Sequence, residues 1–159
     1  FVDADLTGSD ATNVTGLNKN NLVIDFINAT AAYSATTFNE AAANDGSITA
    51  SITITLTGDT FVDPADFTGH VTNVPAGLTA VLTRTSATVA TLSFTGNANA
   101  HASAQDVANL TVTFDDADLT GSDATNVTGL NKNDLVIDFI NATAAYSATT
   151  FNEAAANDG

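Results

Sequence analysis

With 159 residues, 18 acidic side chains against three basic ones and a net charge of −15, this chain presents a surface that repels nucleic acid and anionic lipid and favours solubility and cations. It contains no Cys, Met or Trp, which excludes a disulfide framework, a thiolate metal site and a Cys nucleophile. No stretch is apolar and long enough for a membrane-spanning helix, so no membrane insertion of this segment is expected.

The first element along the chain is also the last. Residues 1–46 and 114–159 are the same sequence at an offset of 113 positions, differing only at Val2/Asp115 and Asn21/Asp134. Identity this close predicts a tandem array of near-identical units stacked on their neighbours. Strand ends divide the chain into the C-terminal part of one repeat (1–31), a complete repeat (32–144) and the first strand of the next (145–159). One period, residues 33–145, carries 12 acidic side chains against Arg84 and Lys132, or 12 − 2 = 10 net negative charges. The joins fall near Ala29–Ala32 and Ala142–Ala145. Linkers so short, without Gly or Pro, predict a semi-rigid array.

Within the complete repeat, Thr and Ser alternate with aliphatic residues, the period-2 pattern of half-buried strands. Ile48, Ala50, Ile52, Ile54 and Leu56 face one way until Gly58-Asp59 breaks the strand. Pro75-Ala76-Gly77 fits a type I turn with Pro second and Gly fourth, leading into alternation over Leu78–Leu82. Arg84–Ala87 reads as a hairpin connection, followed by a strand with Leu92 and Phe94 inward. The Ala-rich stretch Asn97–Ala108 allows one helical turn or a loop. Leu110, Val112 and Phe114 form the next inward row. A turn at Asn131–Asp134 precedes the last row, Leu135, Ile137 and Phe139. About seven strands with turns every 8–12 residues indicate an all-β fold, an antiparallel immunoglobulin-like β-sandwich repeated in tandem.

Acidic residues gather at strand ends. Glu40 and Asp45 follow the opening of the unit, and Asp115, Asp116 and Asp118 follow the strand that ends at Phe114. Hard cations such as Ca2+ bind several carboxylate and carbonyl oxygens, which makes these five residues the candidate metal ligands. The competing explanation is a solvated acidic surface using Asp as a turn residue. The upstream copies Asp3 and Asp5, with Val2 replacing the first Asp, predict a weaker site there. Catalysis finds no support: His70 and His101 stand in polar, loop-like stretches expected at the surface, outside any zinc-protease, nucleophile-elbow or P-loop pattern. Lys132 lies in an Asn-rich turn rather than a buried isopeptide setting. The five Asn-x-Ser/Thr sequons are about what this composition yields by chance.

Thr37-Phe38-Asn39-Glu40, Asn44–Ile48, Asn73–Leu78 and Thr113–Asp116 together resemble the immunoglobulin-like or cadherin-like tandem repeats of very large bacterial surface proteins, as in repeats-in-toxin-type adhesins. The resemblance implies a secreted, cell-surface array, often stiffened by calcium at module joins. It aligns Glu40 with the opening Glu of such modules and Asp116-Ala117-Asp118 with a D-x-D ligand pair. The expected function is a non-catalytic structural module, either an adhesin stalk or extender or a self-assembling fibre or sheath. Its partners would be neighbouring repeats, with lateral or end-to-end association, for example by residues 22–28 adding as a strand to a neighbour. A glycan- or cell-binding module is the alternative. If calcium holds these loops, Ca2+ raises the thermal midpoint of a two-repeat chain above Mg2+ and ionic-strength controls. An unresponsive midpoint leaves only solvated acidic loops.

Overall fold

A computed structural model describes residues 28–145 apart from 122, together with positions 7, 15, 21, 22, 24 and 147. Eight strands are described: β1 (Thr30–Tyr33), β2 (Thr37–Asn39), β3 (Ile52–Thr57), β4 (Val71–Thr72), β5 (Leu78–Ser86), β6 (Val89–Gly96), β7 (Val107–Val112) and β8 (Lys132–Asp138). They form two four-stranded sheets, ordered β1-β3-β6-β5 and β2-β8-β7-β4. The architecture is all-β. All pairings are antiparallel except β2 with β8, which is parallel, so the second sheet is mixed where an antiparallel one was expected.

Alternation decides which side chains meet. Along β3, Ile52, Ile54 and Leu56 are buried and the intervening Thr residues are not. β6 buries Ala90, Leu92 and Phe94 in the same rhythm, and Ile52 sits opposite Leu92 in the ladder. Leu110, Val112, Leu135 and Ile137 supply the facing sheet, all at 0% exposure. Phe38 of β2 meets Phe94 of β6 edge-to-face at 4.9 Å, joining the sheets near one end. Phe61, Phe67 and Phe114 plug the other end, with centroids 5.3 to 5.6 Å apart. Such pairs add to the area they bury.

Boundaries moved where pairing partners run out. The strand expected from Ile48 begins only at Ile52, because β1 has left the sheet by Ser34 and the last residues of β6 pair with β5 alone. Ile48 is nonetheless buried, whereas Ala50 is exposed. Leu78 N–H donates to Pro75 O, and Gly77 has φ +96°, so the turn is type II and starts one residue later than expected. The hairpin turn falls at Ala87-Thr88, since β5 continues through an irregularity at Arg84–Ser86. β8 already starts at Lys132, where a turn was expected. Thr30–Tyr33, expected at a join, pairs with β3. Ser103–Gln105 forms the single short turn foreseen in the Ala-rich stretch.

These registers fix the direction of the chain. Thr30 pairs with Thr57 and bridges Thr128, near the start of β8, which sets the upstream end. β8 then runs about 20 Å to Asp138 beside Asn39, the downstream end. The chain therefore enters the unit at one end and leaves it at the other. Replacing fully buried Leu135 by Ala should cost about 2–5 kcal/mol, and replacing exposed Thr79 by Ala less than about 0.5 kcal/mol. Denaturant midpoints of the two variants check the assignment of faces.

Candidate functional site

Each end of the unit is closed by a carboxylate facing a histidine. At the upstream end, the segment following β3 crosses to the second sheet over the Phe61, Phe67 and Phe114 rings and arrives at His70, just before β4. Opposite it, β7 runs into a 3-10 turn at Asp116–Asp118. Asp115 caps this turn by accepting from Ala117 N–H at 2.9 Å, while Asp118 Oδ2 accepts from Asp115 N–H at 2.7 Å. The reciprocal cap aims the buried Asp118 carboxylate at His70 Nε2, 2.8 Å away.

The other ring nitrogen, Nδ1, lies 3.3 Å from Thr68 O. Both nitrogens thus face oxygens that only accept, an arrangement fully satisfied by the imidazolium. Burial pushes the His70 pKa down, but the Asp118 hydrogen bond and charge, helped by the Thr68 and Phe67 backbone, outweigh it and raise it above 6.5. Neither nitrogen is left free to take a proton from a substrate. His70, Asp115 and Asp118 place one ligand atom each within 4.8 Å of one another. A nitrogen with two carboxylate oxygens suits a borderline cation such as Zn2+ better than Ca2+, and in this geometry a proton already bridges His70 and Asp118.

At the downstream end, Glu40 follows β2 and turns inward, with its side chain at 0% exposure. Oε1 accepts from Gly46 N–H at 2.7 Å, and Oε2 from Ile140 N–H at 2.9 Å. His101 Nδ1 is 2.9 Å from Oε1 but off hydrogen-bonding angle, and it is buried without another partner. Gly46 is required here: at φ +80° its added Cβ would stand 2.6 Å from Ala98 O. Burial pushes the Glu40 carboxyl up, yet the Ile140 and Gly46 amides and the His101 ring outweigh it and hold it below 4.5.

The five carboxylates nominated from sequence are not one cluster within the unit. Glu40 and Asp45 lie at the downstream end, and Asp115, Asp116 and Asp118 at the upstream end. Asp45 is exposed and bonds the Ser47 hydroxyl and amide. Asp116 turns away from Asp118 and accepts from Ala124 N–H. Each oxygen of Glu40 accepts one backbone amide of its own unit and keeps a second lone pair. Asp3 and Asp5 lie outside the described residues. The histidines were expected at the surface and are instead half-buried partners of carboxylates. Their partners are 48 and 61 positions away, a separation no local pattern encodes. Lys132, the first residue of β8 rather than part of a turn, pairs with exposed Asp134.

Comparison with known proteins found no matching family model, no matching curated protein and no matching solved structure.

The two pairs bracket a pH window. His70, raised above 6.5, contributes stability that is complete below pH 6.5 and lost as pH rises through its folded value. Glu40, lowered below 4.5, contributes stability present above pH 4.5 and lost as pH falls through its folded value. The melting-temperature gap between the wild type and His70→Gln should therefore narrow from pH 6 towards pH 9. Glu40→Ala should cost about 1–3 kcal/mol for each amide it orphans at pH 7, with the gap closing in acid. Melting curves across pH check both signs.

Proposed function

We propose that this chain is a non-catalytic structural repeat of an extracellular, cell-surface tandem-repeat protein, serving as a stalk, extender or fibre-forming module. One observation carries the reading: a unit that recurs every 113 residues takes in its chain at one end and releases it at the opposite end. Entry and exit at opposite ends support units strung in line.

The finer fold assignment belongs to the same proposal. The order β1-β3-β6-β5 opposite β8-β7-β4 corresponds to the two sheets of a constant-type immunoglobulin domain, with β2 as a strand that changes sheet. This order supports kinship with the immunoglobulin-like repeats of bacterial adhesins. The surface location rests on that kinship and on the sulfur-free composition. Calcium keeps a place in the proposal through Glu40, Asp45, Asp115, Asp116 and Asp118, of which Asp45, Asp115 and Asp116 are exposed.

Glycan recognition is less favoured. Stacking on sugars needs an exposed aromatic face, and every described Phe is buried, while the Tyr33 hydroxyl donates to Leu130 O. Lateral association has a specific observation behind it. β5 is a nine-residue edge strand, and beside it a groove of about 520 Å³, lined by Phe67, Val71, Val74 and Leu78 among others, opens between the sheets. Unpaired edges of this kind template further pairing.

Images or small-angle scattering of chains with increasing repeat number test the proposal. The expected particle lengthens by roughly 40 Å per repeat, from strands of about 10 residues plus loops. A compact globule whose longest dimension does not grow with repeat number would falsify it.

A further inference from the structure

Resting on that array reading, we infer that consecutive repeats dock end to end with no free linker residue, the handover from one unit to the next falling on the Asn141–Ala142 peptide bond. The downstream end holds its departing chain residue by residue. Phe139 N–H donates to Asp106 at 2.8 Å, and Phe139 O accepts from the Ser103 hydroxyl at 2.9 Å. Ile140 N–H donates to Glu40, and Asn141 Oδ1 accepts from Ser103 N–H at 3.1 Å. Asn141 is thus still fastened to the repeat it leaves.

Past Asn141, the upstream copy of the same segment shows where the chain is held next. Residues 141–145 and 28–32 are both Asn-Ala-Thr-Ala-Ala, and 28–32 sit at the upstream end of a complete unit. There, Ala29 O accepts from Thr128 N–H at 2.9 Å and Ala31 N–H donates to Thr128 O at 2.8 Å, while Thr30 pairs with Thr57. Carried forward by one period, Ala142 is already bonded to the upstream end of the next repeat. The last residue held by one unit is the immediate neighbour of the first residue held by its successor.

Distance then forces contact. From the buried Phe139 to Ala142 the chain can span at most about 11 Å, three residues at full extension. That gap is filled by side chains and leaves no room for a solvent layer. The two surfaces are suited to closing it. On the downstream side, Ile140 is 39% exposed and borders an open cleft with Ala100, His101 and Ala102. On the upstream side, the platform around the incoming strand is small and locally stiff. Gly58 lies against Ala29, and Asp59 Oδ1 ties Thr60 N–H to Gly121 N–H at 2.7 and 3.0 Å. The occupant of the Ile140 cleft is therefore the Gly58–Thr60 and Thr120–Gly121 face of the next copy. Identical joints repeat one rotation and one translation, which makes the array a rod of constant twist.

The absence of cysteine allows a clean test. Thr79→Cys in each of two consecutive repeats, at exposed positions on β5, accepts a pair of spin labels whose separation is measured by pulsed dipolar spectroscopy. The expected result is one narrow distance distribution of roughly the repeat length, about 40 Å. Inserting Gly-Ser-Gly between Asn141 and Ala142 should broaden it severalfold without changing the circular dichroism, and Ile140→Ser should broaden it to a lesser degree. An unmodified chain as broad as the insertion variant overturns the docked joint while leaving the array reading standing. A distance far below the repeat length, from repeats folded back on each other, overturns both.

Discussion

A carboxylate sealed in the interior of an all-β unit holds together the parts of the chain that no ladder joins. Glu40 is the first residue past β2, and its two oxygens reach the loop at Gly46 and the exit of β8 at Ile140, 100 positions away in sequence. Strand pairing alone would leave both amides unsatisfied at the downstream end, each a cost comparable to a lost hydrogen bond. Glycine at position 46 is the steric condition for this closure, because a side chain there would strike Ala98. The ladder, the turn and the charge are therefore one device. The short parallel pairing of β2 with β8 positions Glu40, and Glu40 in turn holds the end of β8 at the place where the chain departs.

The two ends use the same chemistry for different tasks. His70 and Asp118 cap the Phe61, Phe67 and Phe114 plug, so that a polar pair seals an aromatic one. Two backbone amides hold Glu40, and the His101 ring stands beside it without a well-aligned bond. Both ring nitrogens of His70 face acceptor oxygens, and His101 turns Nδ1 towards Glu40. The geometry of the two pairs is that of clamps on the chain segments at each end of the unit.

Much of the fold was legible in the sequence because it is written in period two. Leu92 and Phe94, Leu110 and Val112, and Leu135, Ile137 and Phe139 alternate as expected and are all buried. What alternation cannot encode is how far a partner strand extends. Ala50 continues the pattern of Ile52 and Ile54, yet it is exposed, because no strand lies opposite it in the sheet. The short strands β1 and β4 escaped notice for the same reason: four and two residues are too few to show a period. At the site, the acidic residues were recognisable as clusters, but their partners were not. Asp118 and His70 meet only once β4 has paired with β7, and Glu40 and Ile140 only once β2 has paired with β8.

In the proposed array, near-identical neighbours would create a hazard that a docked joint would limit. Repeats sharing almost the same strand sequences can exchange them, and misassembly of this kind is characteristic of tandem proteins. Exchange would require β8 of one repeat to reach the β2–β7 slot of another, one repeat length or roughly 40 Å along the proposed array. A flexible linker would allow that excursion. A chain fastened through Asn141 on one side and, as proposed, from Ala142 on the other would not, because no slack would remain between them. The ten net negative charges of each repeat, counted from 12 acidic and 2 basic residues in 33–145, oppose side-by-side collapse at the same time. Short joints and like charge thus act on the two routes by which identical units misassemble, along the chain and between chains.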